Sequence, residues 1–246
     1  MMSDIRLFGL LGHPLSHSFS AKYFNEKFKA ENLHCKYENF DLPEIPDLKS
    51  FIDSRINLAG LNVTIPYKMD IIEKLDSIDA EANKIGAVNV VQIKNGKLKG
   101  FNTDYIAFMQ SVSPLINPNN SRALILGFGG ASKAVKYALK KWHIPYSVVS
   151  RENGKADYTY NNINSEILEN HNLIINTTPL GNHPNVNQLP EIPYDLLNKN
   201  HVLYDLTYNP EVTEFMKKGI KKGCQVKNGF DMLVRQAELS WEIWNQ

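Results

Sequence analysis

The chain has 246 residues, 43% of them hydrophobic and 22% charged, which is enough apolar material for one large domain or two modest ones. Its formal net charge of +1 gives no electrostatic case for nucleic acid or an acidic membrane surface as a partner. Two cysteines, Cys35 and Cys224, are too few for a disulfide framework and suit a reducing compartment.

Ile5 to Gly12 reads as a buried strand, and a helix follows with Phe19, Tyr23, Phe24 and Phe28 at helical spacing. Cys35 to Phe40 is a second strand, Pro43 to Ser54 a short helix, and Ala59 to Val63 a third strand. Pro66 is placed to open a helix, because proline suits a first turn. Val88 to Ile93 and Lys97 to Phe101 flank Asn95-Gly96, a hairpin signal. A helix is expected from about Asn102 to Val112, and a second domain from near Asn102. After a stretch rich in Pro, Asn and Ser, Arg122 to Leu126 is a buried strand. Ala131 to Trp142 is then a helix with Ala131, Val135, Ala138, Leu139 and Trp142 on one face. Strands at Ser147 to Ser150, Leu173 to Asn176 and Val202 to Leu206 follow, and a helix from about Phe230 to Trp244 ends the series. Strands alternating with helices predict an α/β protein with a parallel, doubly wound second domain. No apolar run approaches the roughly 20 residues that cross a bilayer, and nothing resembles a signal peptide, so a cytoplasmic protein is expected.

Leu126-Gly127-Phe128-Gly129-Gly130-Ala131-Ser132 joins a strand to a helix. Glycines there let the backbone approach a pyrophosphate, and the helix N-terminus offers free N–H groups and a positive dipole end. The following strand ends Val149-Ser150-Arg151. An arginine at that place suits the 2′-phosphate of NADP, with Lys155 in reach to assist, whereas the neighbouring Glu152 would repel a phosphate.

Three further strings sit where a strand or hairpin gives way to a helix: Gly12 to Ser20, Asn62 to Lys68, and Asn102-Thr103-Asp104. Ligands of α/β sheets bind at the carboxyl ends of strands, so the strings suit one cleft. Each also has an ordinary structural reading. Ser18 or Ser20 can cap a helix, Asn62 and Thr64 can satisfy a turn, Asp104 can cap, and His17 can be structural. Lys68 can be a solvated surface lysine.

Along nearly its whole length the chain resembles the shikimate dehydrogenase family. The resemblance rests on Gly12-His13-Pro14-Leu15 with His17-Ser18-Phe19-Ser20, on Asn62-Val63-Thr64-Ile65-Pro66-Tyr67-Lys68, on Gly86-Ala87-Val88-Asn89 and on Asn102-Thr103-Asp104. It continues through Gly127 to Ala131, Asn176 to Gly181, Tyr204 to Pro210, Asn228-Gly229, and Met232-Leu233 with Gln236-Ala237. The resemblance implies an N-terminal α/β substrate domain at 1–101, to which 229–246 returns, and a Rossmann-like NADP-binding domain at 102–228. It implies that Ser18 and Ser20 hold the substrate carboxylate. Asn62, Thr64, Asn89, Asp104 and Gln236 would hold ring hydroxyls, with Tyr208 at the carboxylate or ring face. Lys68 and Asp104 would be the catalytic pair. Gly127, Gly129, Gly130, Ala131, Ser150 and Arg151 would bind NADP, with Thr177 and Gly229 near the ribose and nicotinamide. The chain departs from the family pattern at Tyr105, where glycine is common, at Val90, where threonine is common, and at Ser150 and Glu152 beside Arg151.

The implied reaction is reversible reduction of 3-dehydroshikimate to shikimate by NADPH, with no metal and with the small acid as the partner of a monomer or homodimer. Lys68 would act as proton donor or as electrostatic stabiliser of the developing alkoxide. Two rivals stand beside it. One is an NAD-using quinate or shikimate dehydrogenase, favoured by Glu152. The other is a non-catalytic cofactor-binding sensor, which could dispense with Lys68 and Asp104.

Overall fold

The computed structural model describes residues 5–15 and 19–246. Contacts divide the chain into two units, one running to Thr103 and including Ala237–Gln246, the other Asp104–Gln236.

The first unit contains β1 (Arg6–Gly12), α1 (Phe19–Ala30), β2 (Cys35–Asp41), α2 (Leu48–Asp53), β3 (Leu58–Val63), β4 (Ser77–Ile78), α3 (Ala80–Ile85), β5 (Val90–Lys94) and β6 (Lys97–Phe101). Its sheet runs in the order β2-β1-β3-β5-β6-β4. β1 pairs parallel with β2 and β3, while β5 runs antiparallel to both β3 and β6. The β5–β6 hairpin forms because Asn95 and Gly96 both take positive φ, 52° and 70°, the conformation a two-residue hairpin turn demands. Alternation along the strands feeds two cores. Leu11, Leu61, Val63 and Val91 meet Leu48, Phe51 and Ile71 in one, and Phe8 and Val90 meet Phe24, Phe28 and Trp244 in the other. Gly60 makes room for Trp244, since a Cβ there would lie 2.3 Å from the indole nitrogen.

The predicted helix at Pro66 does not form. The Tyr67 N–H turns back to the Thr64 carbonyl at 2.9 Å, and the Lys68 carbonyl is taken by the Val88 N–H at 2.7 Å, so it is lost to a helical ladder. A 3-10 helix appears only at Asp70–Lys74. The helix expected over Pro43 to Ser54 shortens to α2, where the Asp47 carboxylate caps the Ser50 N–H at 2.8 Å.

The second unit contains α4 (Asp104–Val112), β7 (Ala123–Leu126), α5 (Gly130–Lys141), β8 (Tyr146–Ser150), β9 (Tyr158–Thr159), α6 (Ser165–Glu169), β10 (Leu173–Asn176), β11 (Val202–Asp205), α7 (Glu214–Lys221) and β12 (Gln225–Lys227). α8 (Phe230–Trp244) begins here and ends in the first unit. The sheet order is β12-β11-β10-β7-β8-β9, every pair parallel. Counted from β7, that is the 3-2-1-4-5-6 order of a doubly wound dinucleotide fold. β7 and β10 are buried at every residue, as strands covered on both faces must be. α5 turns a slightly different face inward than its spacing predicts: Ser132 and Ala134 join Val135, Ala138 and Leu139, while Ala131 and Trp142 are only half-buried.

Among the described residues no helix is long and apolar enough to cross a membrane, and no group of three His, Cys, Asp or Glu could hold a metal ion. Cys35 and Cys224 are unpaired thiols.

Candidate functional site

The register Asn62↔Val90↔Phe101 places Asn62, Asn89 and Asn102-Thr103 at one edge of the first sheet, together with the ends of β1 and β3. At that edge the backbone is tied down. Thr64 N–H donates to the Leu11 carbonyl at 3.0 Å and His13 N–H to the Ile65 carbonyl at 3.1 Å. Gly12 lies hard against Thr64, where a Cβ would meet Cγ2 at 2.3 Å. Beyond β1, Asp41 accepts from the Leu15 N–H at 3.0 Å and pairs with His13 Nδ1 at 2.6 Å. These bonds hold the Asp41 carboxyl below its ordinary range.

Asn89 is buried, and its amide closes a two-bond ring with Thr103. Oδ1 accepts from the Thr103 N–H at 2.7 Å and Nδ2 donates to Thr103 Oγ1 at 2.9 Å. Asn102 donates to the Ala87 carbonyl at 2.9 Å. Asn62 is buried in the same network. A backbone carbonyl can only accept, so the Asn62 Nδ2 faces the Asn89 carbonyl at 3.3 Å, and it also donates to Ser240 Oγ at 2.9 Å. Oδ1 therefore faces Tyr37, whose hydroxyl donates to it at 2.8 Å. Both Asn62 amide hydrogens are spent on the protein. Burial pushes the Tyr37 phenol well up, against the opposing pull of the neighbouring Ser20 hydroxyl. Ser20 is buried, Lys68 and Thr64 are half-buried, and Ser18 lies outside the described residues.

In the second unit, Leu126, Val149, Asn176 and Asp205 align across the sheet, so the segments that follow them share one edge. The direction of strand succession reverses between β7 and β10, the place where such sheets bind ligands. Gly127 sits there at φ +112°, and a Cβ on it would lie 2.8 Å from Thr177 Oγ1. Thr177 is held by its own N–H and Oγ1, both donating to the Leu126 carbonyl at 2.9 and 2.8 Å. Gly129 stands at the N-cap of α5 without a side-chain cap, and a Cβ there would meet open space. Ser132, one turn in, is fully buried, and its Oγ has no hydrogen-bond partner among the described residues. Open space over a glycine and an uncapped helix start fit a pyrophosphate.

At the end of β8, Ser150 Oγ accepts the Glu152 N–H at 3.1 Å, bending the chain so that Arg151 and Glu152 are exposed. Lys155 Nζ lies 2.6 Å from Glu152 Oε2. Beyond β11, a buried cluster that the sequence reading did not single out ties two segments together. Asp205 Oδ1 accepts from the Thr207 N–H and from Asn176 Nδ2, each at 3.0 Å, and Oδ2 accepts from Thr213 Oγ1 at 2.6 Å. Asn176 Oδ1 in turn accepts the Thr178 N–H at 3.0 Å. Gly229 packs directly on the Leu206 backbone, where a Cβ would stand 2.1 Å from the carbonyl oxygen. Asp104 is buried at the start of α4, and burial raises the phenol pKa of the half-buried Tyr208. Gln236 donates to the Leu233 carbonyl at 3.0 Å.

Strand order and glycine turn define an α/β protein of the dinucleotide-binding type. The match to known proteins goes further. A family model described as the shikimate dehydrogenase substrate binding domain matches residues 10–91. A shikimate dehydrogenase (NADP(+)) of Methanococcus maripaludis is 39% identical, the alignment covering 98% of this chain and 92% of that protein. A crystal structure of shikimate 5-dehydrogenase from Thermus thermophilus, in complex with NADP(H) and shikimate, superposes with a TM-score of 0.86 at 30% identity, over 97% of this chain and 93% of that one. One from Listeria monocytogenes, in complex with shikimate and NAD, gives 0.84 at 25% identity, over 98% and 91%. The chain belongs to the shikimate dehydrogenase family.

Proposed function

We propose that this protein catalyses the reversible NADPH-dependent reduction of 3-dehydroshikimate to shikimate, a step towards chorismate and the aromatic amino acids, in the cytoplasm as a monomer or homodimer. The observation that carries the reading is the near-full-length likeness to NADP(+) shikimate dehydrogenases, in a chain that retains both Lys68 and Asp104. No nucleic acid or membrane is needed as partner.

The glycine turn at Gly127, Gly129, Gly130 and Ala131, with Ser150, Arg151, Thr177 and Gly229, would hold the cofactor, which supplies the hydride when bound. Ser18 and Ser20 bind the substrate carboxylate. Thr64, Asn89 and Gln236 bind ring hydroxyls, and Tyr208 helps at the carboxylate or ring face. Asn62 supports them through the Asn89 carbonyl that it holds. As the carbonyl carbon is reduced, its π bond breaks and the oxygen takes a proton from Lys68, while Asp104 binds the hydroxyl that forms. The bond from Val88 to the Lys68 carbonyl steadies the backbone from which that ammonium reaches.

Coupled assays of shikimate oxidation with NADP test the reading. Lys68→Ala is expected to lose most of kcat with little change in KM for shikimate; a loss confined to KM would make Lys68 a binding residue. Absence of turnover by the wild-type chain with shikimate would overturn the assignment.

A further inference from the structure

The turn Arg151-Glu152-Asn153-Gly154-Lys155 after β8 sets an acid, Glu152, between two cations. Gly154, at φ +80°, lets the chain turn over Asn153-Gly154 and brings Lys155 back onto Glu152. The Glu152 carboxylate is held below its ordinary range, first by the hydrogen bond from Lys155 and next by the Lys155 charge, with Arg151 adding to both. Glu152 therefore stays ionised across the neutral range, paired with Lys155 and next to Arg151 in the chain. Its backbone is fixed by Ser150 Oγ, so the carboxylate is not carried away by a mobile main chain. All three side chains are solvent-exposed and within reach of the end of β8, the place at which a dinucleotide presents its ribose 2′-substituent.

We infer that Glu152 is an internal competitor for the cofactor's 2′-phosphate: it occupies Lys155 and lowers the preference of this chain for NADP over NAD. The inference rests on the dinucleotide reading of the second unit. A 2′-phosphate carries close to two negative charges, and it must draw Lys155 off Glu152 while approaching the carboxylate itself. NAD, with a 2′-hydroxyl, meets neither cost. Replacing Glu152 by glutamine keeps the side chain's size and leaves both cations to the phosphate. At an exposed site, solvent screening keeps each such pair small, so the gain is of the order of three- to tenfold.

The test is direct calorimetric titration of the intact protein with NADP and with NAD, for wild type and Glu152→Gln, at low salt and at about 0.5 M salt. Glu152→Gln should bind NADP about three- to tenfold more tightly at low salt and NAD within twofold of wild type, and the NADP gain should shrink at high salt. Equal affinity of the two proteins for NADP, or an equal gain for NADP and NAD, overturns the inference while leaving the dinucleotide site intact. Binding of neither cofactor by the wild-type chain would overturn the dinucleotide reading itself, and the role of Glu152 with it.

Discussion

Asp205 offers a sharp test of how the second unit is held together. Its carboxyl is fully buried, and burial pushes it up to about 6 from its ordinary 3.8, against the pull of the Thr213 hydroxyl, the Thr207 N–H and the Asn176 amide. In the unfolded chain the proton leaves near pH 3.8; in the folded chain it leaves near 6. Between those values the folded state binds the extra proton, so this group's contribution to stability declines as pH rises through the window. Two units of difference correspond to about 3 kcal/mol, absent below pH 4 and complete above pH 6. Asp205→Asn removes the titration. The new amide group can be met by Thr213, whose hydroxyl already accepts the Met216 N–H at 3.3 Å and has a second lone pair, so the variant should fold. Denaturant unfolding of both proteins from pH 4 to 7 should show the stability of wild type relative to Asp205→Asn falling by about 3 kcal/mol as pH rises. A flat difference, or one that changes in the opposite direction, would mean that the surrounding donors outweigh burial and hold the carboxylate ionised throughout.

Tyr37→Phe leaves Asn62 Oδ1 buried without its donor at 2.8 Å, and should cost about 1–3 kcal/mol in denaturant unfolding; a neutral result would show that the oxygen finds another donor. Gly229→Ala places a methyl 2.1 Å from the Leu206 carbonyl, a backbone atom that cannot swing aside. It should lower stability by roughly 1–3 kcal/mol or more and weaken cofactor binding, and wild-type unfolding and NADP titration curves for this variant would refute the packing argument.

The parts of this fold that were legible in the sequence are those whose cause is local. Asn95-Gly96 announces its hairpin because two consecutive positive φ angles require such residues. β7 and β10 announce themselves by short apolar runs, Ala123 to Leu126 and Leu173 to Ile175. The glycine turn is legible for the same reason, its conformation at Gly127 being closed to other residues. What failed or went unread depends on partners far along the chain. Pro66 carries a helix signal, but the Lys68 carbonyl goes to Val88 instead. β4 and α3, two and six residues long, are too short for periodicity to show. Tyr37 lies within the strand expected over Cys35 to Phe40 and Ser240 within the helix expected over Phe230 to Trp244. Only the folded chain brings both onto Asn62, from 25 and 178 residues away.

That distinction also sorts the polar residues of the two sheet edges. Asn62 and Asp205 occupy strand ends, where ligand-binding residues are sought, yet their hydrogen-bonding capacity is turned towards their own unit. Their replacement should register in stability first and in affinity only as a consequence, because what they hold is the Asn89 carbonyl in one unit and the Thr207 N–H in the other. Arg151, Glu152 and Lys155 have the opposite character. They are exposed, and Glu152 and Lys155 pair across a surface turn, so substitution there can change affinity for a charged ligand while leaving folding nearly untouched. In this chain, discrimination between cofactors can therefore drift by single surface substitutions, whereas the edge that presents Asn89 and Thr103 is locked to the core by bonds whose loss the fold itself would register.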